Sequence, residues 1–390
     1  MRNVTLGIFK ASDRARQLVN QVLDTGRISY GPLSKQFEDE FSAMHGCKYG
    51  VVSNSGTSSL HVAVQAIKEL YGLMNGYEVL VPAITFVATV NVLLHNGLRP
   101  VLVDVEPQYY GMDVNDAERK TTNRTVMMMP VHLFGMPCQI DALRIHAKSK
   151  SMFIVEDSCE VMFVGLNGKP VGSWGDVGCF STYVAHLMST GVGGIATTNS
   201  PNIAAKMRSL VNHGRDGIYL SIDDDNVSST KLKEVASKRF RFESIGHSFR
   251  ITELEAALAV AQLEDKDVML RARRENAGAL SEALCEMEDT LQLPHVRPNA
   301  EHAYMMYPIV LRRGNKWALC NYLEERGIET REMLPLIGQP CYAGRWTEKE
   351  YPVAANINKN GFYVGCHQGL TTEDMVYVAE NIRAFFGITG

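Results

Sequence analysis

The chain has 390 residues, 45% of them hydrophobic and 21% charged, and its formal net charge is −4 at pH 7. This length predicts two or three compact units with a large buried core. The near balance of 43 acidic and 39 basic residues excludes a strongly basic nucleic-acid-binding protein, and the average composition excludes a disordered or collagen-like chain.

The cysteines and the apolar segments indicate the compartment. No two of the eight cysteines lie closer than about twenty residues, whereas zinc sites and disulfide frameworks cluster their cysteines. The N-terminal segment lacks the apolar core of a signal peptide, so we expect reduced thiols, no metal site and a cytoplasmic location. The apolar stretch 79–94 contains Pro82 and Asn91 and is shorter than the about 20 residues that span a bilayer, so no membrane partner is expected.

Along the chain, helical segments flank a turn at Tyr30-Gly31-Pro32, and apolar runs then alternate with helical periodicity. The predicted strands are Tyr49–Val52, Glu78–Val81, Val101–Val105, Val126–Val131, Met152–Glu156, Gly178–Ser181 and Gly194–Thr197. This alternation predicts an α/β fold in which a mostly parallel seven-stranded sheet is covered by helices on both faces.

The pattern changes beyond Arg250. Residues 251–287 are rich in Ala, Leu and Glu and predict one or two long helices, and the last hundred residues mix short strands with helices. We therefore expect a large cofactor-binding α/β domain over residues 1–260 and a smaller α+β domain over residues 261–390.

Three motifs carry polar groups at strand ends. The turn 54–57 lies between a strand and a helix, where backbone N–H groups bind anions. Residues 154–160 end an apolar strand in carboxylates, at the edge where α/β sheets bind ligands. Residues 178–186 lead a strand into a turn with a histidine. Taken singly, each motif also fits a plain structural role: a capped helix, a solvated strand end and a structural histidine.

Taken together, these motifs and several others occur in the order typical of one enzyme family. The matching segments are Gly31 with Phe37-Glu38, Ser55-Gly56-Thr57, residues 81–86, residues 131–135, Glu156-Asp157, residues 175–181, Gly193-Gly194, Ala256-Ala257-Leu258 and Gln339-Pro340. On these segments the chain resembles the DegT/DnrJ/EryC1 sugar aminotransferase family of fold type I, the aspartate aminotransferase-like pyridoxal phosphate (PLP) enzymes. The resemblance covers nearly the whole chain.

The resemblance implies how the cofactor is held. Its phosphate is expected on the backbone of Gly56 and Thr57 with the Ser181 hydroxyl nearby, and Phe86 is expected to stack on the pyridine ring. Asp157 is expected to pair with the ring nitrogen and keep it protonated. A family asparagine that reaches the phosphate of the partner subunit aligns with Ser248, which implies a homodimer.

The main departure from the family is His186, because family aminotransferases carry a lysine there that forms a Schiff base with the cofactor. Imidazole forms no such bond, but it can act as an acid or base near neutral pH. The chain thereby resembles the family's deoxygenating branch, the GDP-4-keto-6-deoxy-mannose 3-dehydratases. Cys159-Glu160 also matches that branch, which places Glu160 at the cofactor, and the segments around His213 and His367 match it too, which implies substrate-binding roles.

The expected function is therefore C3 dehydration of a nucleotide-linked 4-keto-6-deoxyhexose, with pyridoxamine phosphate (PMP) or PLP as cofactor and glutamate as amino donor. Val192, in place of a common glutamate, and the divergent loop 215–238 depart from that branch. Two alternatives stay open: a sugar aminotransferase with an altered lysine site, and a non-catalytic homologue. A related iron–sulfur dehydratase type needs a close cysteine pair that this sequence lacks.

Overall fold

A computed structural model describes residues 2–215, 228, 230, 233, 237–238 and 240–388. The divergent loop 215–238 therefore falls largely outside the described residues. No helix within the described ranges is long and apolar enough to cross a membrane.

Twelve α-helices and three short 3₁₀ helices lie within the described residues. The α-helices are α1 Asp13–Thr25, α2 Pro32–Met44, α3 Gly56–Tyr71, α4 Val87–His95, α5 Val114–Lys120, α6 Ile140–Ser149, α7 Pro201–Val211, α8 Glu253–Glu264, α9 Lys266–Leu284, α10 Lys316–Glu324, α11 Pro352–Asn360 and α12 Thr372–Phe385. The 3₁₀ helices are Cys285–Met287, Pro340–Tyr342 and Glu348–Glu350.

The strands form a large sheet, a small sheet and a hairpin. They are β1 Tyr49–Ser53, β2 Glu78–Pro82, β3 Arg99–Val103, β4 Thr125–Met128, β5 Phe153–Asp157, β6 Gly165–Leu166, β7 Lys169–Pro170, β8 Val177–Ser181, β9 Gly194–Thr198, β10 Leu291–Gln292, β11 Tyr307–Leu311, β12 Thr330–Glu332 and β13 Gly361–Val364.

The large sheet has seven strands in the order β1-β9-β8-β5-β4-β2-β3. Only β9 runs antiparallel to its neighbours, so the predicted mostly parallel seven-stranded sheet is confirmed. All five residues of β2 and of β8 are buried. Both faces of these strands are therefore covered, which explains their continuous apolar runs.

The second sheet lies in the C-terminal part of the chain, in the antiparallel order β10-β11-β13-β12. It shares a separate hydrophobic core with α9 and α12. The N-terminal segment joins this core, because Val4 is fully buried in it and pairs with Ile328. The division of the chain at residue 260 stays a prediction.

Sequence periodicity missed the shortest elements. The hairpin β6–β7 and the strand β10 have two residues each, too few for an alternation to show, and α5 spans only seven residues. The predicted strand 126–131 ends earlier, at Met128, before Pro130, whose missing N–H cannot join a ladder. The eight cysteines are all free thiols.

Candidate active site

A cavity of about 650 Å³ lies where the parallel strands of the large sheet end. Its walls include the last residues of β5 and β8, which are Asp157 and Ser181, and the first residue of α3, which is Gly56. The carboxyl ends of parallel strands meet at one sheet edge, where open α/β sheets bind ligands. Residues from the small sheet and the N-terminal segment, among them Tyr363 and Leu6, complete the enclosure.

The N-terminus of α3 forms an anion cradle at this cavity. Ser55 caps the helix by accepting a hydrogen bond from Ser58 N at 3.0 Å, which leaves the amides of Gly56 and Thr57 as the first free donors of the helix. A Cβ at Gly56 would lie 2.7 Å from Ser181 Cβ and 2.8 Å from Cys159 Sγ. Glycine is therefore required for α3 to approach β8 closely.

Asp157 is a buried carboxylate on the cavity wall. Its Oδ2 accepts a hydrogen bond from Thr89 Oγ1 at 2.7 Å, and its Oδ1 accepts one from Cys159 N at 3.2 Å. Burial raises the pKa of Asp157, while these hydrogen bonds lower it. A buried carboxylate of this kind favours a cationic ligand group, because a positive charge next to it compensates the lost hydration.

A second carboxylate, that of Glu156, fixes the strand end that carries Asp157. Buried Glu156 accepts hydrogen bonds from the backbone N–H groups of Gly172, Trp174 and Gly175 at 2.7–2.8 Å. His132 also donates to it, through Nε2 at 3.1 Å, since its Nδ1 accepts from a backbone N–H. These bonds fix the neighbour of Asp157 and so restrict the position of β5.

His186 lines the cavity with one of its ring nitrogens engaged. Its Nδ1 lies 2.6 Å from the carbonyl oxygen of Cys159. A carbonyl can only accept, so Nδ1 carries the hydrogen in the neutral ring and Nε2 is the basic nitrogen. Burial, followed by the positive charge of Arg273, lowers the pKa of His186 to about 4, although the hydrogen bonds to the Cys159 and Ser181 backbone raise it.

Glu160 lines the same cavity. Its Oε2 accepts a hydrogen bond from Phe134 N at 2.8 Å. Burial, together with the charge of Asp157, raises the pKa of Glu160 to about 7 despite this bond. The cavity therefore combines a neutral base with a carboxyl group that titrates near neutral pH.

The residues present fit PLP or PMP. The α3 N-terminus and Ser181 suit a phosphate, and the buried carboxylate of Asp157 suits a protonated pyridine nitrogen. Phe86 also lines the cavity and is 58% exposed, so its aromatic ring is accessible for stacking on the pyridine ring. Six of the seven predicted cofactor-binding residues line one cavity with His186: Gly56, Thr57, Phe86, Asp157, Glu160 and Ser181.

No lysine lines the cavity in the part of the chain that the structure describes. Lys169 lies over the Trp174 ring, 4.7 Å from its centroid, and Lys206 Nζ forms an ion pair of 2.6 Å with Glu69. These two lysines are the nearest to His186 in the sequence, and both are engaged elsewhere, so neither takes the place of a Schiff-base lysine.

Three predicted site residues lie outside this cavity. Ser248 and His213 are exposed and share Arg250, which contacts the Ser248 hydroxyl at 3.0 Å and His213 Nε2 at 3.3 Å. His367 is buried and its Nε2 lies 3.1 Å from Thr5 Oγ1. Their roles toward the partner subunit and the substrate stay predictions.

Sequence reasoning missed several residues of the cavity. Thr89 holds Asp157, and Arg331 and Tyr363 reach the cavity from the small sheet. Thr89 left a signal, because it is a polar residue within the apolar segment 79–94. No sequence pattern pointed to Arg331 and Tyr363, because only the packing of the C-terminal sheet brings them to this edge of the large sheet.

The model of the DegT/DnrJ/EryC1/StrS aminotransferase family matches residues 10–383. GDP-perosamine synthase of Caulobacter vibrioides is 32% identical over 365 residues, which cover 92% of this chain and 92% of that protein. The dTDP-4-dehydro-2,6-dideoxy-D-glucose 3-dehydratase of Saccharopolyspora spinosa is 30% identical over 379 residues, which cover 92% of this chain and 81% of that protein.

Solved structures show the same fold. A structure of E. coli GDP-4-keto-6-deoxy-D-mannose-3-dehydratase with bound hydrated PLP has a TM-score of 0.87 over 98% of this chain and 99% of that chain, at 23% identity. A likeness at this identity establishes the fold alone. The expected fold type I architecture is thereby confirmed.

Proposed function

This chain belongs to the DegT/DnrJ/EryC1/StrS aminotransferase family of PLP-dependent enzymes, and we propose that within it the chain is a PMP-dependent 3-dehydratase. Its proposed substrate is a nucleotide-linked 4-keto-6-deoxyhexose. The observation that carries this proposal is the imidazole of His186 on the wall of the cavity. By the sequence resemblance, His186 corresponds to the lysine of the family aminotransferases. An imidazole can move a proton but cannot form the covalent bond of that lysine.

The residues of the cavity have separate tasks in this proposal. Gly56, Thr57 and Ser181 bind the phosphate, Phe86 covers one face of the ring, and Asp157 holds the proton on the ring nitrogen. When bound, the cofactor supplies an amine that joins the substrate carbonyl and a ring that accepts electrons. Asp157 supports this role because a carboxylate stabilises the protonated ring nitrogen.

His186 moves the proton. With Nδ1–H held by the Cys159 carbonyl, Nε2 is the atom that would take a proton from the methylene carbon of the cofactor and give it to the sugar C3 hydroxyl, which leaves as water. The pKa of about 4 keeps the ring neutral, and so ready to accept a proton, at neutral pH. Below about pH 7 the Glu160 carboxyl group is protonated and can donate a hydrogen bond within the cavity.

We infer the substrate class from the names of the related proteins. GDP-perosamine synthase and the dTDP-linked 3-dehydratase carry nucleotide sugars in their names, and both match more than nine tenths of this chain. We therefore propose a nucleotide-sugar substrate in deoxysugar biosynthesis, glutamate as the amino donor, and a homodimeric, cytoplasmic enzyme. GDP-linked sugars are the first to test, because the name of the 32% identical relative gives a GDP-linked sugar as its product.

A second candidate function is amination of a nucleotide sugar. It is favoured by the same relative, GDP-perosamine synthase. In that case His186 would stand at an altered lysine site, and the His186→Lys variant would aminate the substrate without removing its C3 oxygen.

Product analysis distinguishes the two functions. The purified protein is incubated with PLP, glutamate and a panel of 4-keto nucleotide sugars, and the products are analysed by mass spectrometry. Deoxygenation gives a product that is one oxygen atom lighter and keeps its ketone, with 2-oxoglutarate and ammonia released from glutamate. A product in which an amine replaces the ketone would overturn the dehydratase proposal, as would a cofactor adduct that borohydride fixes to the wild-type protein.

A further inference from the structure

The N-terminal strap, residues 4–7, connects the small sheet with the cofactor cavity. Val4 O accepts a hydrogen bond at 2.9 Å from the backbone N–H of Glu329, just before β12. Leu6 N donates to the carboxylate of the same residue at 3.0 Å. Leu6 and Gly7 then line the cavity. The strap is therefore fixed to the small sheet at one end and forms part of the cavity wall at the other.

Gly7 packs directly on the turn that carries His186. A Cβ at Gly7 would lie 2.8 Å from the carbonyl oxygen of Val184 and 2.9 Å from Ala185 Cα, and backbone atoms cannot rotate out of the way. The φ of Gly7 is not positive, so this close approach is what requires a glycine. The turn closes through His186 N, which donates to Tyr183 O at 2.8 Å. The strap therefore supports the backbone from which the imidazole projects.

A buried histidine fixes the strap through the hydroxyl of Thr5. His367 Nδ1 accepts a hydrogen bond from Gly369 N at 3.1 Å, so the hydrogen of the neutral ring is on Nε2, which donates to Thr5 Oγ1 at 3.1 Å. The Thr5 hydroxyl in turn donates to Gly7 O at 3.3 Å. These contacts form one chain of hydrogen bonds, which ends at the glycine that touches the His186 turn.

His367 is itself held in place and does not line the cavity. Its side chain is 1% exposed, and Asn276 Nδ2 of α9 donates to its carbonyl oxygen at 3.0 Å. Burial, followed by the positive charge of Arg273, lowers the pKa of His367 to about 4. The ring is therefore neutral at neutral pH, and the direction of its two hydrogen bonds is fixed. His367 is suited to orient the strap.

We propose that Thr5 and His367 are positioning residues that act on His186. They hold Gly7 against the turn and so keep the imidazole where Nδ1 bonds to the Cys159 carbonyl and Nε2 is free. The inference rests on the proposed function for the role of His186 as the base. The structural link between the strap and the turn does not depend on that role, because it follows from the contacts alone.

The first test is hydrogen–deuterium exchange of the PLP-loaded protein, measured by mass spectrometry. Thr5→Val removes the hydroxyl that joins His367 to Gly7, and we expect the amides of residues 183–190 to exchange about 5–50-fold faster. Thr5→Ser keeps a hydroxyl and should exchange within about twofold of wild type. Unaltered exchange of residues 183–190 in Thr5→Val would overturn the proposal. This measurement needs no turnover, so it is independent of the reaction that the enzyme performs.

Thr121→Val is the matched control for the exchange test. Thr121 is half-buried like Thr5, and its Oγ1 lies 2.8 Å from His146 Nε2, in a second threonine–histidine pair that does not line the cavity. Its loss should affect the contact between α5 and α6 and leave the exchange of residues 183–190 unchanged. An equal acceleration in this control would overturn the assignment to the strap.

Steady-state kinetics separate positioning of the base from contact with the substrate, the role that the resemblance implied for His367. For the reaction that product analysis identifies, we expect kcat to fall about 10–100-fold in Thr5→Val and in His367→Phe, with KM within about twofold of wild type. His367→Gln, whose amide can donate to Thr5, should recover most of kcat. A raised KM with unchanged kcat would indicate substrate contact and overturn the proposal. Failure of the proposed function would instead show as a wild-type protein that forms no 3-deoxygenated product, with the exchange result unaffected.

Discussion

At the scale of single residues, one hydrogen bond decides the chemistry available to His186. The contact of Nδ1 with the Cys159 carbonyl, at 2.6 Å, ties the ring to the turn after β5 and leaves Nε2 as the base. Cys159 follows Asp157 by two residues, so the same turn positions both the proposed base and the carboxylate that we propose to pair with the ring nitrogen. The sequence indicated the residue types, but it carried no information on which nitrogen of His186 is free.

The His186→Asn variant tests the role of the base. Asparagine keeps a similar polar volume but cannot accept a proton at neutral pH, so we expect C3 deoxygenation to slow by about 10²–10⁴-fold. Cofactor affinity should change little, because the phosphate cradle at α3 is untouched. Rates are measured by product analysis, and cofactor binding by absorbance titration. Turnover within tenfold of wild type would exclude His186 as the base.

The pH dependence of kcat/KM tests the pair of His186 and Glu160. The pKa of about 4 means that His186 is neutral above that pH, and the pKa of about 7 means that Glu160 is protonated below pH 7. We expect kcat/KM to rise through about pH 4 and to fall through about pH 7, as Glu160 loses its hydrogen donor.

The Glu160→Gln variant is the control for this profile. Its amide donates hydrogen bonds at every pH, so the decline near pH 7 should disappear while the acidic limb remains. A wild-type profile that stays flat from about pH 6 to 9 would contradict the assignment of Glu160.

At the scale of secondary-structure elements, the site depends on how closely α3 approaches β8. Ser181 ends β8 and Gly56 begins α3, and the contact leaves no room for a Cβ at residue 56. The motif Ser55-Gly56-Thr57 predicted an anion site at a helix N-terminus. The steric reason for the glycine appeared only once β8, more than a hundred residues later in the chain, lay beside it.

The Gly56→Ala variant tests this contact. We expect unfolding free energy to fall by about 1–3 kcal/mol, because overpacking forces α3 away from β8, and we expect weaker cofactor binding. Gly278→Ala is the matched control. It lies exposed in α9 with no atom within 4 Å of the added Cβ, so it should raise stability by about 0.4–1 kcal/mol. Thermal denaturation and cofactor titration measure both effects, and unaltered cofactor binding in Gly56→Ala would refute the close-approach argument.

At the scale of the whole molecule, the cofactor cavity is a joint product of two packed cores. The large sheet and the helix α3 supply Asp157 and the proposed phosphate cradle, while the small sheet and the N-terminal segment close the cavity with Tyr363 and Leu6. The N-terminal segment contributes to both hydrophobic cores, because Leu6 packs in the core of the large sheet and Val4 packs in the core of the small sheet.

We expect a homodimer in solution. Ile245 and Phe240 are 90% and 85% exposed, on the segment that leads to Ser248, the residue predicted to face the partner subunit. Large apolar side chains exposed to this degree at nearby positions of the chain are typical of an interface. Light scattering should give twice the mass of 43.3 kDa, and Ile245→Asp should shift the protein toward monomer.

Val376→Asp is the matched control for this prediction. It places the same charge on an exposed apolar position of α12, in the C-terminal part of the chain, and should leave the mass unchanged. A wild-type monomer at micromolar concentration would contradict the homodimer.

The sequence by itself determined the family and the mostly parallel seven-stranded sheet, and it indicated the residues that we propose to bind the cofactor. These are local properties: apolar runs encode strands, and the motifs around Gly56, Asp157 and His186 each occupy a few consecutive positions. The tertiary structure alone decided the tautomer of His186, the near-neutral pKa of Glu160 and the presence of Arg331 at the cavity. Each of these depends on burial and on contacts between residues far apart in the chain, which no local pattern records.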